Sequence, residues 1–303
     1  MKRGIGLMGE SQPGAVTEAI ACFDRALALR RQLPVDHVPL FGYGLAACLL
    51  NRADALMLLR DANQVVAALH AYDEAIVVLR TLPLDDDLRY RRRLAIAHQN
   101  LGLTLQTQRG TSSEDAIDAF TNALTILDHE QAIRIDDRQY LQAAVWMNLA
   151  NARAAATTVG AETQARDAAL HAISLVSVLE VDDADAAEVG LKARHVLCQT
   201  IANRLSRPAV DDDAVQADVH AATDAVDDGL GLVRQWEHKG VSRFRRIAYD
   251  LFRFGARVYG HYQPQFLQEF IRDNIDPARS SPAYVNSAEI QSAVQEALSF
   301  TSR

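Results

Sequence analysis

Nine histidines, at positions 37, 70, 98, 129, 171, 195, 220, 238 and 261, are the first place to look for chemistry, and no two fall within five residues of each other. A helical zinc site needs two histidines about one turn apart, so an HExxH arrangement is absent, and no GxSxG serine elbow occurs. Two glycine runs, Gly4-x-Gly6-x-x-Gly9 and Gly42-x-Gly44-x-x-Ala47, mimic phosphate loops. Such loops work at the junction of a strand and a helix, and no strand pattern recurs anywhere in the chain. The runs are therefore read as a loose first unit and as a turn into a helix. Aspartates gather at 85–87, 136–137, 182–183 and 211–213, without the spaced Asp-x-Asp-x-Asp-Gly loop of a calcium site. They suit helix N-caps and first turns, where negative charge is welcome. Cys22, Cys48 and Cys198 form no CxxC, which argues against a zinc site or a disulfide framework and fits a reduced, cytoplasmic setting. The expectation is a non-enzyme with no metal and no cofactor.

Positive charge is more suggestive. Two runs interleave arginine with an aromatic: Arg89-Tyr90-Arg91-Arg92-Arg93 and Ser242-Arg243-Phe244-Arg245-Arg246. Each is either a solvated helix start whose arginine stems cover apolar surface, or a patch for an acidic protein segment built on Arg91, Arg92, Arg93, Arg245 and Arg246. The net charge of −8 disfavours nucleic acid and anionic membrane as partners. No stretch approaches the roughly 18 apolar residues of a membrane span.

The elements that must position these residues follow from alanine, which fills 50 of the 303 positions while glycine (15) and proline (8) are sparse. Alanine favours helices and lets them pack closely. A small residue, a larger or small one four later and a small one three further recur as Ala19-Phe23-Ala26, Ala68-Tyr72-Ala75, Ala116-Phe120-Ala123, Ala165-Ala169-Ala172 and Ala222-Val226-Gly229. These offsets share one helical face, and the first four copies start about 49 residues apart. A second stripe precedes most copies, around Asn51-Arg52-Ala53, Asn100-Leu101-Gly102, Asn148-Leu149-Ala150-Asn151, Ala202-Asn203 and Arg253-Phe254-Gly255. Each unit is thus a hairpin of an A helix and a B helix of about 20 residues. Proline supports the division: all eight fall between the proposed helices, and none occurs from 84 to 207.

With Trp146-Met147-Asn148-Leu149-Ala150-Asn151 in an A helix and Ala116 to Leu124 in a B helix, the chain resembles the tetratricopeptide repeat (TPR) family over residues 15 to 275. The long period is similar to kinesin light chain-type and bacterial peptidase-associated arrays. The resemblance implies an all-α, right-handed superhelical solenoid of antiparallel hairpins. Residues 1–275 would form the repeat domain, 276–285 a linker, and 286–303 a capping helix and tail, with Asn286 and Glu289 as cap and N3 pair. Thr111-Ser112-Ser113-Glu114 would open a B helix as a capping box. The first unit is expected to lack most of its A helix, leaving Ile20, Phe23 and Leu27 without a preceding partner and suggesting a homo-oligomer through that face.

In the resembling family the positions of Asn51, Asn100, Asn148, Asn151 and Asn203 face a concave groove, and Arg253 takes the same position in the last unit. Amides there both donate to and accept from a peptide backbone. Hydrogen bonding between scaffold helices is the other use open to them. The family's lysine clamp for C-terminal carboxylates is not expected, since Leu50, Gln99 and Met147 hold its place. The expected function is a scaffold or adaptor that binds a peptide segment of a partner, with a regulatory sensor of a signalling peptide, or a structural oligomer, as alternatives.

Overall fold

A computed structural model describes residues 1–9, 14–108, 113–129, 132, 137–206, 212–276 and 278–301. Pro13, Thr111, Ser112, Asp136, Pro208, Asp211 and Pro277 lie outside the described residues. Among those described there is no strand. The helices are α1 (Lys2–Met8), α2 (Ala15–Arg30), α3 (Pro39–Leu58), α4 (Ala62–Arg80), α5 (Leu88–Thr107), α6 (Ser113–Asp128), α7 (Arg138–Ala155) and α8 (Ala161–Val176), then α9 (Ala184–Leu205), α10 (Asp212–His238), α11 (Arg245–Tyr262), α12 (Pro264–Ile275), α13 (Pro282–Val285) and α14 (Ala288–Thr301). The chain divides into two compact units, Met1–Ala152 and Arg153–Arg303. The division falls inside α7, where the repeat spacing predicts no break.

In the first unit α3 pairs with α4 and α5 with α6, while α2 packs on α3 and α4 on α5. The alanine stripes are what pack. Ala19, Phe23, Ala68, Tyr72, Ala75, Ala116, Phe120 and Ala123 are all buried, and Ala26 is half-buried. Two of the stripe aromatics lie against a glycine of the preceding helix, Phe23 on Gly4 of α1 and Phe120 on Gly102 of α5. A Cβ on Gly102 would stand 2.6 Å from the Phe120 ring, so only glycine lets α5 approach α6 this closely. Burying such a ring contributes roughly 1.5–3 kcal/mol.

Local signals set the helix ends. The Asp61 side chain accepts from the Asn63 and Gln64 amides, Asp87 from the Arg89 amide, and Asp183 from the Asp185 and Ala186 amides. Pro39, Pro264 and Pro282 sit inside the first turns of α3, α12 and α13, where the missing N–H costs nothing.

Five expectations change. The Gly4-x-Gly6-x-x-Gly9 run is not loose: it lies in or next to α1, which packs on α2 with Gly4 against the Phe23 ring. Phe23 and Leu27 are buried and Ile20 half-buried, so the face expected to be bare is partly covered by the chain itself. Gly42 and Gly44 are in the body of α3, not in a turn before it; Val38 and Pro39 form the entry, so proline's preset φ decides the start. The segment 276–285 contains α13, and the last helix is capped by Ser287, whose hydroxyl accepts from the Ile290 amide at 3.4 Å, rather than by Asn286. Ile290, Ala293, Val294 and Ala297 bury that last helix, α14, against α11, while Leu298 stays exposed.

The second unit keeps the hairpin order, α8 on α9, α9 on α10, α10 on α11 and α11 on α12. Its core is different in kind. Ala169 and Val226 replace the stripe aromatics, and an aromatic group forms elsewhere, with Phe270 5.1 Å from Phe252 and 4.8 Å from Tyr259. Glu180 and Arg194 are buried together in a two-bond ion pair with both contacts at 2.8 Å.

Candidate peptide-binding surface

The A-helix asparagines do not share one environment. Asn51 on α3 is half-buried, and Asn151 on α7 and Asn203 on α9 are exposed. Asn148 is 8% exposed, too little to meet a ligand. Asn100 on α5 donates its amide to Asp54 Oδ1 at 3.1 Å, and the Tyr72 hydroxyl donates to the same oxygen at 2.6 Å. Asp54 thereby ties α3, α4 and α5 together. Burial pushes its pKa up, against the two hydrogen bonds and the nearby Arg93, which hold it down. For Asn100 the structure thus realises the scaffold use that the sequence left open.

Arg253 on α11 is covered by the chain itself. It holds Glu296 of α14 through two hydrogen bonds, one at 2.5 Å, and Arg257 adds a contact at 3.1 Å. These arginines keep the Glu296 carboxyl below its ordinary range.

The arginine runs sort by partner. In the first, Arg89 grips Asp87, Arg91 is buried on Asp85, and Arg92 reaches Asp137 at 2.9 and 3.1 Å. Arg92 therefore links neighbouring hairpins and holds the Asp137 carboxyl low. Arg93 differs, because it donates to the neutral Tyr43 hydroxyl at 3.4 Å, with the guanidinium 5.8 Å from that ring's centre. In the second run Arg245 makes a two-bond pair with buried Glu237 at 2.7 and 2.8 Å. Arg246 is mostly exposed, 3.5 Å from Asp250 and 5.3 Å from the Tyr249 ring centre.

The sequence reading missed Tyr43 and Asp54. Asp54 had a signal, a carboxylate within the otherwise apolar run Ala53 to Leu59. Tyr43 had none, since its role depends on Arg93 fifty residues away. Clefts lie elsewhere. One of about 330 Å³ in the first unit is lined by Asp24, Arg31, Arg52, His70 and Glu74, among others, and is closed by the pairs Arg52–Asp24 and Arg31–Glu74. One of about 400 Å³ in the second unit has Asp227, whose carboxylate accepts from Tyr259 at 2.7 Å, beside Arg234, Phe266 and Asn274. Among the described residues no three His, Cys, Asp or Glu side chains are placed to hold a metal, and no helix is long and apolar enough to cross a membrane.

No protein-family model matches the chain, and no curated protein matches it by sequence. Among solved structures it is similar to BtubC (BKLC) from P. vanneervenii, with a TM-score of 0.58, 15% identity, and 95% of this chain and 91% of that one covered. At this identity the likeness is one of fold, and the fold is an all-α helical repeat of the TPR-like kind.

Proposed function

We propose that the chain is a non-catalytic interaction scaffold that binds an acidic peptide segment of a protein partner on the A-helix face of its first unit. The observation that supports this is the contrast within one arginine run. Arg89, Arg91 and Arg92 are each held by a carboxylate of the chain, whereas the half-buried Arg93 donates to a neutral hydroxyl and the nearby Asp54 is taken up by Tyr72 and Asn100. A guanidinium in that position gains from a partner carboxylate, which it can engage through two parallel bonds. Asn51, half-buried on the neighbouring A helix, supplies an amide able to donate to and accept from a peptide backbone. Asn100 serves by fixing α3 against α5 through Asp54.

The test is capture on the immobilised chain, mapping of the bound segment in the recovered partner, and titration of that segment as a synthetic peptide. Arg93→Glu is expected to weaken the peptide at least tenfold with helicity unchanged, and Asn51→Ala to weaken it less. Equal affinity for wild type and Arg93→Glu would remove the reading.

A further inference from the structure

The second unit holds a cleft of about 600 Å³ at the C-terminal end of α10, lined by Gly231, Arg234, Gln235, His238, Lys239 and Arg279. Every ionisable side chain among these is basic, in a protein whose net charge is −8. Arg234 and Arg279 also line the 400 Å³ cleft, so the two arginines stand where both openings meet.

Arg234 and Lys239 donate to neutral oxygens, while Arg279 has a carboxylate partner. Arg234 donates to the side-chain oxygen of Asn274, a neutral acceptor fixed in place by its own amide bond to the Phe270 carbonyl at 2.9 Å. Lys239 donates to the Val181 carbonyl at 2.5 Å and lies 4.4 Å from the Trp236 ring centre; its closest carboxylate, the exposed Asp182, is 3.8 Å away. Arg279 pairs with Asp273 at 2.9 Å, and His238 contacts the Arg279 carbonyl at 3.1 Å. Burial and, to a lesser degree, the neighbouring Arg279 pull the Arg234 pKa down, against Tyr284, Asp227 and Asp273, which raise it. Close to Arg234, the buried Tyr284 hydroxyl has no hydrogen-bond partner among the described residues.

We propose that this cleft binds a small phosphorylated molecule, its phosphoryl oxygens taken by Arg234, Lys239 and Arg279. A phosphoryl group is preferred to a single carboxylate because the donors of two guanidiniums, an ammonium and an imidazole exceed what two oxygens accept. The volume lies in the range of small-molecule sites. The inference is independent of the peptide-binding reading, which concerns the other unit.

The probe is pyrophosphate, titrated calorimetrically into the full chain at low salt. One site per chain is expected, with affinity reduced at least tenfold in Lys239→Gln/Arg279→Gln, whose exposed side chains leave the fold intact by circular dichroism. Arg234→Gln should reduce it further, and citrate should bind at least tenfold more weakly than pyrophosphate. Absence of binding, unchanged affinity in the double variant, or citrate binding as tightly as pyrophosphate would overturn the proposal. Tighter binding of a phosphoserine peptide would overturn the assignment to a small molecule.

Discussion

Both units keep ion pairs in solvent, as Arg243–Asp185 and Arg279–Asp273 show in the second, but among the described residues only the second buries carboxylates that meet arginine. In the first, carboxylates that meet arginine stay at least partly wet: Glu74, Asp24, Asp85, Asp137 and Asp87 keep 42%, 52%, 67%, 38% and 23% of their side-chain surface in solvent. In the second, Glu180, Glu237 and Asp218 keep 8%, 3% and 1%. The difference follows the packing stripes. Where Phe23, Tyr72 and Phe120 fill the space between helices, ion pairs are left to the surface. Where Ala169 and Val226 stand instead, ion pairs and displaced aromatics enter the core. A buried pair adds little net stability over apolar side chains of the same volume, but breaking one is costly, because the surviving charge has no water to fall back on. The regular repeat should therefore tolerate charge deletion and the degenerate repeat should not.

The largest effect should come from Arg194→Met, which strands Glu180 and is expected to destabilise the second unit by about 3–5 kcal/mol. Trp236, whose indole donates to the Glu180 carbonyl at 3.0 Å, reports on that site in a Trp146→Phe background during urea unfolding. Glu180→Leu/Arg194→Met together should recover most of the loss; a double variant as unstable as the single would break the comparison.

The next effect is a pH dependence carried by a buried histidine of the first unit. His98, 4% exposed and contacted by Arg80 at 3.3 Å, has its pKa pulled down to about 4 by burial and by that guanidinium. A depressed histidine is neutral when folded and takes up a proton more readily when unfolded. Its contribution is complete above the unfolded value near 6.5 and is lost as pH falls toward 4, on the order of 2–3 kcal/mol in all. His98→Gln should flatten that slope in melts between pH 6.5 and 4, and an unaltered slope would assign it to other groups.

Gly102→Ala should cost about 1–3 kcal/mol, since its Cβ must push the Phe120 ring aside and the core is already filled. Trimming the ring in Gly102→Ala/Phe120→Leu should return part of that cost in thermal melts. The smallest effect belongs to Arg31→Ala. It breaks the exposed Arg31–Glu74 contacts at 2.8 and 2.9 Å, and should move stability by less than about 1 kcal/mol. A loss of several kcal/mol there would erase the contrast between the units.

Much of the scaffold was legible because it is written in short-range patterns. Offsets of four and three place Ala116, Phe120 and Ala123 on one face whatever the rest of the chain does, and an aspartate before a helical run caps it through amides two or three residues on. The site was less legible. Asn51, Asn100 and Arg253 occupy one repeat position, yet one is half-buried, one is tied to Asp54 and one is clasped by Glu296. Nothing near each residue distinguishes them.

The sequence by itself determined the helices, their pairing into hairpins of about 49 residues and the burial of the alanine stripes, because helical periodicity and capping act over a few residues. Only the tertiary structure decided which arginine met which carboxylate, since Arg92 reaches Asp137 and Arg253 reaches Glu296 across more than forty residues. It also left Arg93 facing a hydroxyl and Arg234 an amide. The Coulomb energy of a guanidinium depends on what stands a few ångströms away in space, and chain order does not fix that distance.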